Sequence, residues 1–134
     1  CWNLISPLES QYDLDRHSLV KCSISTSDQI LSCYRRSPYF CDFVTQTTFV
    51  RKMQGIIAYR KDFLTTITNL QASPIEKAES IEQMRILENG FSLRYVEVSP
   101  SLPSIDEPSE LQLVLDILLS DSEQQILLKA THSL

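Results

Sequence analysis

Residues 73–90 read SPIEKAESIEQMRILENG and predict one complete helix with both its start and its stop encoded. Ser73 and Glu76 have the spacing of a capping box. Pro74 takes the first helical position, where its missing amide proton costs nothing. Gly90 ends the helix because glycine readily adopts the left-handed conformation of a C-cap. Apolar residues recur at helical spacing between these ends, so one stripe is expected to face a core.

The polar side of this predicted helix carries Glu79, Glu82, Gln83 and Arg85 within about two turns. Such a set of carboxylate, amide and guanidinium groups is able to bind a sugar hydroxyl or a carboxylate. The alternative is that Glu82 and Gln83 belong to the solvated side of an amphipathic helix. The sequence leaves both interpretations open.

Strand-like segments lie on both sides of this helix. Alternating or continuous apolar patterns predict strands at 1–5, 19–25, 30–34, 54–60 and 91–98. The polar residues 26–29 predict a turn that joins the second and third strands into a hairpin. Residues 8–17 are mixed and predict a loop or a short helical turn.

Further helices are predicted at 62–70, with Asp62 as its cap, at 109–120, and at 121–130 with Asp121 as its cap. This mixture predicts an α/β fold, a mixed sheet with helices packed on it. Residues 39–51 show no clear period and suggest an exposed arm or an irregular pairing segment. Residues 111–119 are apolar on most sides, which favours core packing, with a dimer interface as the second interpretation.

Length and charge narrow the classes of function. The 134 residues suit one domain or a piece of a larger one, and 43% hydrophobic residues are enough for a core. The net charge of −5 makes nucleic acid an unexpected partner. No apolar run reaches the roughly 18 residues of a membrane span, so no membrane association is expected. The start at Cys1 suggests an excised domain or processed fragment without a readable targeting signal, and the acidic composition fits the cytoplasm.

The four cysteines are Cys1, Cys22, Cys33 and Cys41, all within the first third of the chain. Their spacings do not form a zinc-binding pattern. Two of them lie inside predicted strands, where buried free thiols are common. We therefore expect reduced, structural cysteines.

Three segments carry a resemblance to a known family. Residues 55–64, 73–90 and 105–111 resemble the C-terminal half of the CMP-Kdo synthetases, the 3-deoxy-manno-octulosonate cytidylyltransferases. The resemblance implies a doubly wound sugar-nucleotidyltransferase fold, of which residues 1–134 would form the C-terminal part. That part holds the sugar site and the dimerisation surface in the family. The N-terminal half, which binds CTP, has no counterpart here.

The resemblance also implies site residues. The family's sugar-contacting pair falls on Glu82 and Gln83, and an arginine of the sugar site falls on Arg36. A guanidinium suits a sugar carboxylate because it binds in a bidentate manner. One of two magnesium-binding aspartates falls on Asp106, and carboxylate oxygens suit Mg2+. The alternatives are that Asp106 caps the helix beginning near Pro108, and that Arg36 is a surface charge paired with an acidic residue.

Two departures from the family bear on activity. The CTP loop and the second magnesium aspartate are absent, and Met53 and Ile57 replace a histidine and a tyrosine of the sugar site. The family joins CTP and Kdo (3-deoxy-manno-octulosonate) to give CMP-Kdo and diphosphate, using Mg2+, as a cytoplasmic homodimer. The chain alone is expected to lack this activity and to bind no Mg2+, and no catalytic residue is assigned. The alternative function is a non-catalytic interaction or regulatory domain that keeps the fold.

Overall fold

The computed structural model describes residues 1–99, 105 and 107–131. The chain divides into two compact units, Cys1–Ser101 and Leu102–Leu134. No helix in the described part of the chain combines the length and the apolar character needed to cross a bilayer. The first unit contains the sheet and is the one that positions the candidate site.

The first unit is built on a mixed sheet of five strands, as the sequence predicts. The strands are β1 (Trp2–Ser6), β2 (Lys21–Ile24), β3 (Ile30–Tyr34), β4 (Val50–Ala58) and β5 (Arg94–Glu97). Their order across the sheet is β3-β2-β4-β1-β5, with β1 parallel to β5 and the other pairs antiparallel. The long strand β4 therefore occupies the centre, in agreement with its apolar sequence.

The predicted hairpin of β2 and β3 is confirmed. Its turn places Asp28 at φ 58°, a left-handed conformation that aspartate tolerates better than most residues. The hydroxyl of Ser25 accepts hydrogen bonds from the amides of Ser27 and Gln29, both at 3.2 Å. These bonds satisfy backbone donors that a tight turn would otherwise leave unpaired.

The helices of the first unit are α1 (Phe43–Gln46), α2 (Lys61–Thr68), α3 (Pro74–Glu79) and α4 (Gln83–Glu88), and a 3-10 turn spans Gln11–Leu14. Residues 39–51, for which an exposed arm or an irregular pairing segment was expected, contain the short helix α1 and the first residues of β4. Asp42 caps α1 by accepting from the amide of Thr45 at 2.9 Å. The predicted cap of α2 is wrong by two positions, because the carbonyl of Arg60 already accepts from the amide of Leu64 at 2.9 Å. Asp62 lies instead in the first turn, where a negative charge favours the helix dipole.

The single helix predicted over residues 73–90 is wrong, since the structure divides it into α3 and α4. Ser80 separates them with φ 55° and ψ 49°, a left-handed conformation. The guanidinium of Arg35 donates to the carbonyls of Glu79 and Ser80, at 2.8 and 3.2 Å, and so satisfies acceptors at the end of α3. The break also lets Ile81, which is 1% exposed, enter the core.

Both predicted ends of the 73–90 stretch are confirmed. The capping box forms at Ser73 and Glu76, with the amide of Ser73 donating to the Glu76 carboxylate at 3.0 Å. Gly90 has φ 77°. The amides of Gly90 and Phe91 donate to the carbonyls of Leu87 and Ile86, both at 3.0 Å, which is the hydrogen-bond pattern of a Schellman motif.

The main core lies between the sheet and α2 and α4. Its buried members are Ile5, Cys22, Ile30, Cys33, Ile67, Ile81, Met84, Ile86 and Leu93. All four cysteines are free thiols, as predicted, although only Cys22 and Cys33 are buried. Burial raises the pKa of Cys22 to about 12, so this thiol stays protonated at neutral pH.

The second unit contains helices α5 (Leu111–Ser120) and α6 (Ser122–Thr131), preceded by a 3-10 turn at Pro108–Glu110. The predicted cap at Asp121 is confirmed, since its carboxylate accepts from the amides of Glu123 and Gln124 at 2.8 and 3.2 Å. The prediction that α5 packs in a core is wrong. Leu113 and Leu119 are 54% and 69% exposed, because the helix is apolar around more of its circumference than one packed face can cover.

Candidate functional site

The candidate site lies where β1, β4 and α4 meet. Asn3 of β1 is the cross-strand partner of Ile57 of β4, so the two side chains share one face of the sheet. Gln83, the first residue of α4, donates from Nε2 to Oδ1 of Asn3 at 3.3 Å. These three residues form the floor of the site.

A chain of hydrogen bonds between polar side chains and the backbone holds this floor in place. Asn3 is fully buried, and its Nδ2 donates to the carbonyl of Gln54 at 3.1 Å. The side chain of Gln54 donates in turn to the hydroxyl of Ser6 at 2.7 Å. Gln83 is only 8% exposed, so it does not lie on the solvated side of its helix. Because an unpaired buried amide is costly, these bonds fix the orientation of the Gln83 side chain.

Glu82 lies beside this floor at the N-cap position of α4 and is exposed. Burial and then the negative charge of Glu82 raise the pKa of Tyr59, while Arg85 acts in the opposite direction. No hydrogen bond or ion pair holds the Glu82 carboxylate within residues 1–99, 105 and 107–131. Glu82 is therefore available to accept hydrogen bonds from a ligand.

Arg85 is already engaged elsewhere. Its guanidinium forms a bidentate pair with the Glu76 carboxylate, from Nε to Oε2 at 2.8 Å and from Nη2 to Oε1. The hydrogen bond from Arg85 holds the pKa of Glu76 below its ordinary value. The pair ties α4 to α3 and so supports the position of Glu82 and Gln83.

The two adjacent arginines at the end of β3 have different partners. Arg35 donates to the carbonyls of Glu79, Ser80 and His17, which makes it a structural residue. Arg36 pairs with Asp15 at 2.9 Å, with the two side chains 77% and 68% exposed. In the described part of the chain no hydrogen bond joins Arg36 to Glu82 or Gln83. The structure therefore brings Glu82 and Gln83 together and leaves Arg36 as a solvent-facing cation.

The two apolar replacements lie on β4 next to β1. Met53 is the partner of Ile5 across the strands and packs against the main core, and Ile57 is half-buried opposite Asn3. Neither side chain offers a strong hydrogen-bonding group near Gln83. The floor therefore combines the two carboxamides of Asn3 and Gln83 with the apolar side chain of Ile57.

Asp106, the predicted magnesium ligand, lies outside the described residues. In the parts of the chain that the structure describes, no group of three or more His, Cys, Asp or Glu side chains could hold a metal ion. The described residues therefore do not make a magnesium site, and no chemical step is assigned to the ion.

Sequence reasoning missed several buried polar residues, among them Asn3 and Lys21. Asn3 lies inside an apolar run and gives no signal of its own. Lys21 is fully buried on β2, and its Nζ donates to the carbonyl of Arg16 at 2.6 Å. Burial lowers the pKa of Lys21 to about 8, against the opposing charges of Asp13 and Asp15. The alternating pattern of β2 assigns Lys21 to one face of the sheet. It does not show that the residues on both faces of this strand are buried.

Comparison with known proteins identifies the relatives of this chain. A 3-deoxy-manno-octulosonate cytidylyltransferase of Chlorobium phaeobacteroides is 34% identical over 125 residues, covering 90% of this chain and 50% of that protein. The solved structure of a CMP:2-keto-3-deoxy-manno-octonic acid synthetase complexed with CTP matches 88% of this chain and 48% of its own, with 30% identity and a TM-score of 0.75. The chain belongs to the CMP-Kdo synthetase family and corresponds to the C-terminal half of its members.

The match with this family is uneven along the chain. The enzyme of the same name from Geobacter metallireducens is 42% identical, but over only 76 residues, or 57% of this chain. The chain spans about half the length of the curated relatives it matches. No protein-family model matches it. The fold is that of an α/β nucleotidyltransferase, and the chain is a cytidylyltransferase-like domain.

Proposed function

We propose that this chain is the sugar-acid-binding half of a cytidylyltransferase that joins CTP and Kdo to give CMP-Kdo and diphosphate. The observation that carries the proposal is the arrangement at the start of α4. Gln83 is oriented by Asn3, with Nε2 to Oδ1 at 3.3 Å, while the adjacent Glu82 carboxylate is exposed. An oriented amide beside an unengaged carboxylate suits the hydroxyl groups of a sugar acid.

The chemistry assigns simple roles to these residues. Glu82 would accept hydrogen bonds from sugar hydroxyls, and Gln83 would add an oriented amide. In the reaction, the 2-hydroxyl oxygen of the sugar forms a bond to the α-phosphorus of CTP. The bond from that phosphorus to the bridging oxygen breaks, diphosphate leaves and the hydroxyl proton is released. Arg36 could meet the sugar carboxylate by leaving Asp15, an exchange that an exposed pair permits at small cost.

The remaining parts of the proposal come from the family. CTP would be bound by the half of the family fold that these 134 residues do not match, and residues 1–134 alone are expected to transfer no nucleotide. Asp106 would supply one carboxylate to Mg2+, but one carboxylate makes a poor site, so the chain alone is expected to bind no magnesium. A cytoplasmic homodimer is proposed, with the exposed leucines of α5 as a contact surface.

A second candidate function is a non-catalytic interaction domain that keeps this fold. It is favoured by Met53 and Ile57, which offer no polar contact to a sugar, and by the pairing of Arg36 with Asp15. A site that has lost its hydrogen-bonding groups discriminates poorly for a hydroxylated ligand.

Calorimetric titration of the chain with Kdo separates these two functions. We expect Kdo to bind, and Glu82→Gln to weaken the affinity by at least about tenfold, because a charged acceptor is lost. The matched control is Asp62→Asn, which removes an exposed carboxylate from α2 and should leave the affinity unchanged. Absence of Kdo binding, or equal affinities of the two variants, would favour the interaction domain.

A further inference from the structure

Two of the four cysteines face each other across the sheet. Cys22 of β2 and Cys33 of β3 are direct partners in the antiparallel ladder. Residues that oppose each other in this way project their side chains from the same face of the sheet. Both belong to the main core, where Cys22 is 0% and Cys33 is 1% exposed. The two thiols are therefore neighbours in a closed, apolar environment.

The backbone hydrogen bonds show which kind of ladder position this pair occupies. The amide of Cys33 donates to Sδ of Met84 on α4 at 3.3 Å, and so does not bond to β2. On the other strand, the carbonyl of Val20 and the amide of Ile24 bond to backbone groups on the β4 side, both at 2.9 Å. Because backbone groups alternate in direction along a strand, Cys22, midway between these two, also directs its amide and carbonyl toward β4. Cys22 and Cys33 therefore form a non-hydrogen-bonded pair.

A non-hydrogen-bonded pair has the geometry that a disulfide needs. Opposed residues at such positions have Cα atoms about 4.5 Å apart, closer than at hydrogen-bonded positions. Disulfides usually join residues whose Cα atoms are roughly 4.4–6.8 Å apart. The separation typical of this ladder position falls inside that range. A bond between the two sulfur atoms therefore does not require the strands to move apart.

The folded chain protects both thiols in their reduced form. Burial raises the pKa of Cys22 to about 12. Burial, and then the neighbouring Cys22, raise the pKa of Cys33 well above its ordinary value. Because the thiolate is the reacting species, exchange with an oxidant is slow while both side chains stay covered. Strand β3 lies at the border of the sheet, so opening of this strand, or folding of the chain, gives an oxidant access.

We propose that Cys22 and Cys33 are a redox pair, which low-molecular-weight disulfides convert into a cross-strand disulfide between β2 and β3. The sulfur of one cysteine, as a thiolate, attacks a sulfur of the small disulfide, forms a mixed disulfide and releases one small thiolate. The sulfur of the other cysteine then attacks the protein sulfur of the mixed disulfide and releases the second small thiolate. The two cysteine sulfurs are oxidised and the two small sulfurs are reduced. The protons of the cysteines end on the two small thiols.

The pair lies next to the candidate site without being part of it. The Cys33 amide bonds to Met84, and Met84 directly follows Gln83 in α4. The disulfide would therefore cross-link the border of the sheet that contacts this helix. The pair is defined by the ladder and stands whichever ligand the candidate site binds.

The test is a disulfide map of the 134-residue chain. The reduced chain is unfolded in urea and refolded by dilution into buffers that contain reduced and oxidised glutathione in different ratios. Free thiols are then blocked, and cross-linked peptides are identified by mass spectrometry after proteolysis at acid pH. We expect peptides joined through Cys22 and Cys33 to be at least about tenfold more abundant than any joined through Cys1 or Cys41, because only the ladder pair is held at bonding distance.

Two variants separate the ladder pair from the other thiols. Cys1→Ser combined with Cys41→Ser removes the half-buried and the exposed thiol and leaves the pair. The oxidised form of this double variant should unfold at a higher urea concentration than its reduced form, because a cross-link restricts the unfolded chain. The matched control adds Cys33→Val, which keeps an apolar side chain in the core. Its unfolding midpoint should be the same with and without oxidised glutathione, and circular dichroism checks the folding of both variants.

Each outcome decides the proposal. Absence of a Cys22–Cys33 linkage at every glutathione ratio would overturn it, as would predominant pairing with Cys1 or Cys41. A linked protein that unfolds at a lower urea concentration than the reduced one would also overturn it, because the ladder would then not hold the sulfur atoms in bonding geometry. If Cys33→Val does not fold, the double variant with and without dithiothreitol still gives the decision.

Discussion

Lys21 shows how a single buried charge affects this fold. Its side chain is fully buried, with one hydrogen bond from Nζ to the carbonyl of Arg16 at 2.6 Å. Burial disfavours the charged form and lowers the pKa to about 8, from an ordinary value of 10.5. The folded protein therefore releases this proton at a lower pH than the unfolded chain does.

This difference predicts a pH dependence of stability. Between pH 8 and 10.5 the unfolded state binds more protons at Lys21 than the folded state does. The contribution of Lys21 to the free energy of unfolding therefore rises with pH in this range. Lys21→Met should remove that rise, whereas Lys61→Met, at an exposed position of α2, should keep it. Urea unfolding at several pH values between 8 and 10.5 measures the free energy of unfolding of both variants. An identical pH profile for Lys21→Met and the unsubstituted protein would show that Lys21 is not desolvated.

The floor of the candidate site also depends on individual residues. The sequence suggested Glu82 and Gln83 as a pair with one role, but their environments differ. Gln83 is buried against Asn3, and Glu82 faces solvent. Helical spacing could not reveal this difference, because the break at Ser80 interrupts the single helix on which that spacing was counted.

At the scale of elements, hydrogen bonds join the start of α3 to the end of α4. The Glu88 carboxylate at the end of α4 accepts from the hydroxyl of Ser73 and from the amides of Ile75 and Glu76, the latter two at 3.1 and 3.3 Å. A side chain from one helix thus caps the start of the other. This contact places a negative charge where the dipole of α3 favours it.

Glu88→Gln should lower the free energy of unfolding, because a charged acceptor is replaced by a neutral one at a helix start. Asp62→Asn is the control, since Asp62 also lies in a first helical turn but no side-chain hydrogen bond is found for it within the described residues. Equilibrium unfolding in urea gives both free energies. Equal losses for the two variants would indicate a general charge effect and contradict the inter-helix cap.

The same helices show what local sequence signals can predict. The capping box at Ser73 and the stop at Gly90 were readable because they depend on neighbouring residues alone. The break at Ser80 was not, because it is stabilised by Arg35, which follows β3 and lies more than forty positions away in the sequence. Long-range contacts of this kind leave no periodic pattern.

At the scale of the whole molecule, strand alternation and helix caps predicted the α/β class and the mixed sheet. The order of the strands was not predicted, because pairing depends on contacts between distant segments. The 63% exposure of Ile56 on β4 was likewise missed, since an apolar run is typical of a buried central strand.

The central claim is that Glu82 and Gln83 bind the sugar acid for cytidylyl transfer. The most direct measurement joins this chain to the unmatched half of the Chlorobium phaeobacteroides enzyme and follows CMP-Kdo formation from CTP and Kdo with Mg2+ present. We predict CMP-Kdo formation, a fall of at least about tenfold in kcat/KM for Kdo with Glu82→Gln, and no change with Asp62→Asn. A folded fusion that forms no CMP-Kdo, or one that tolerates Glu82→Gln, would contradict the claim.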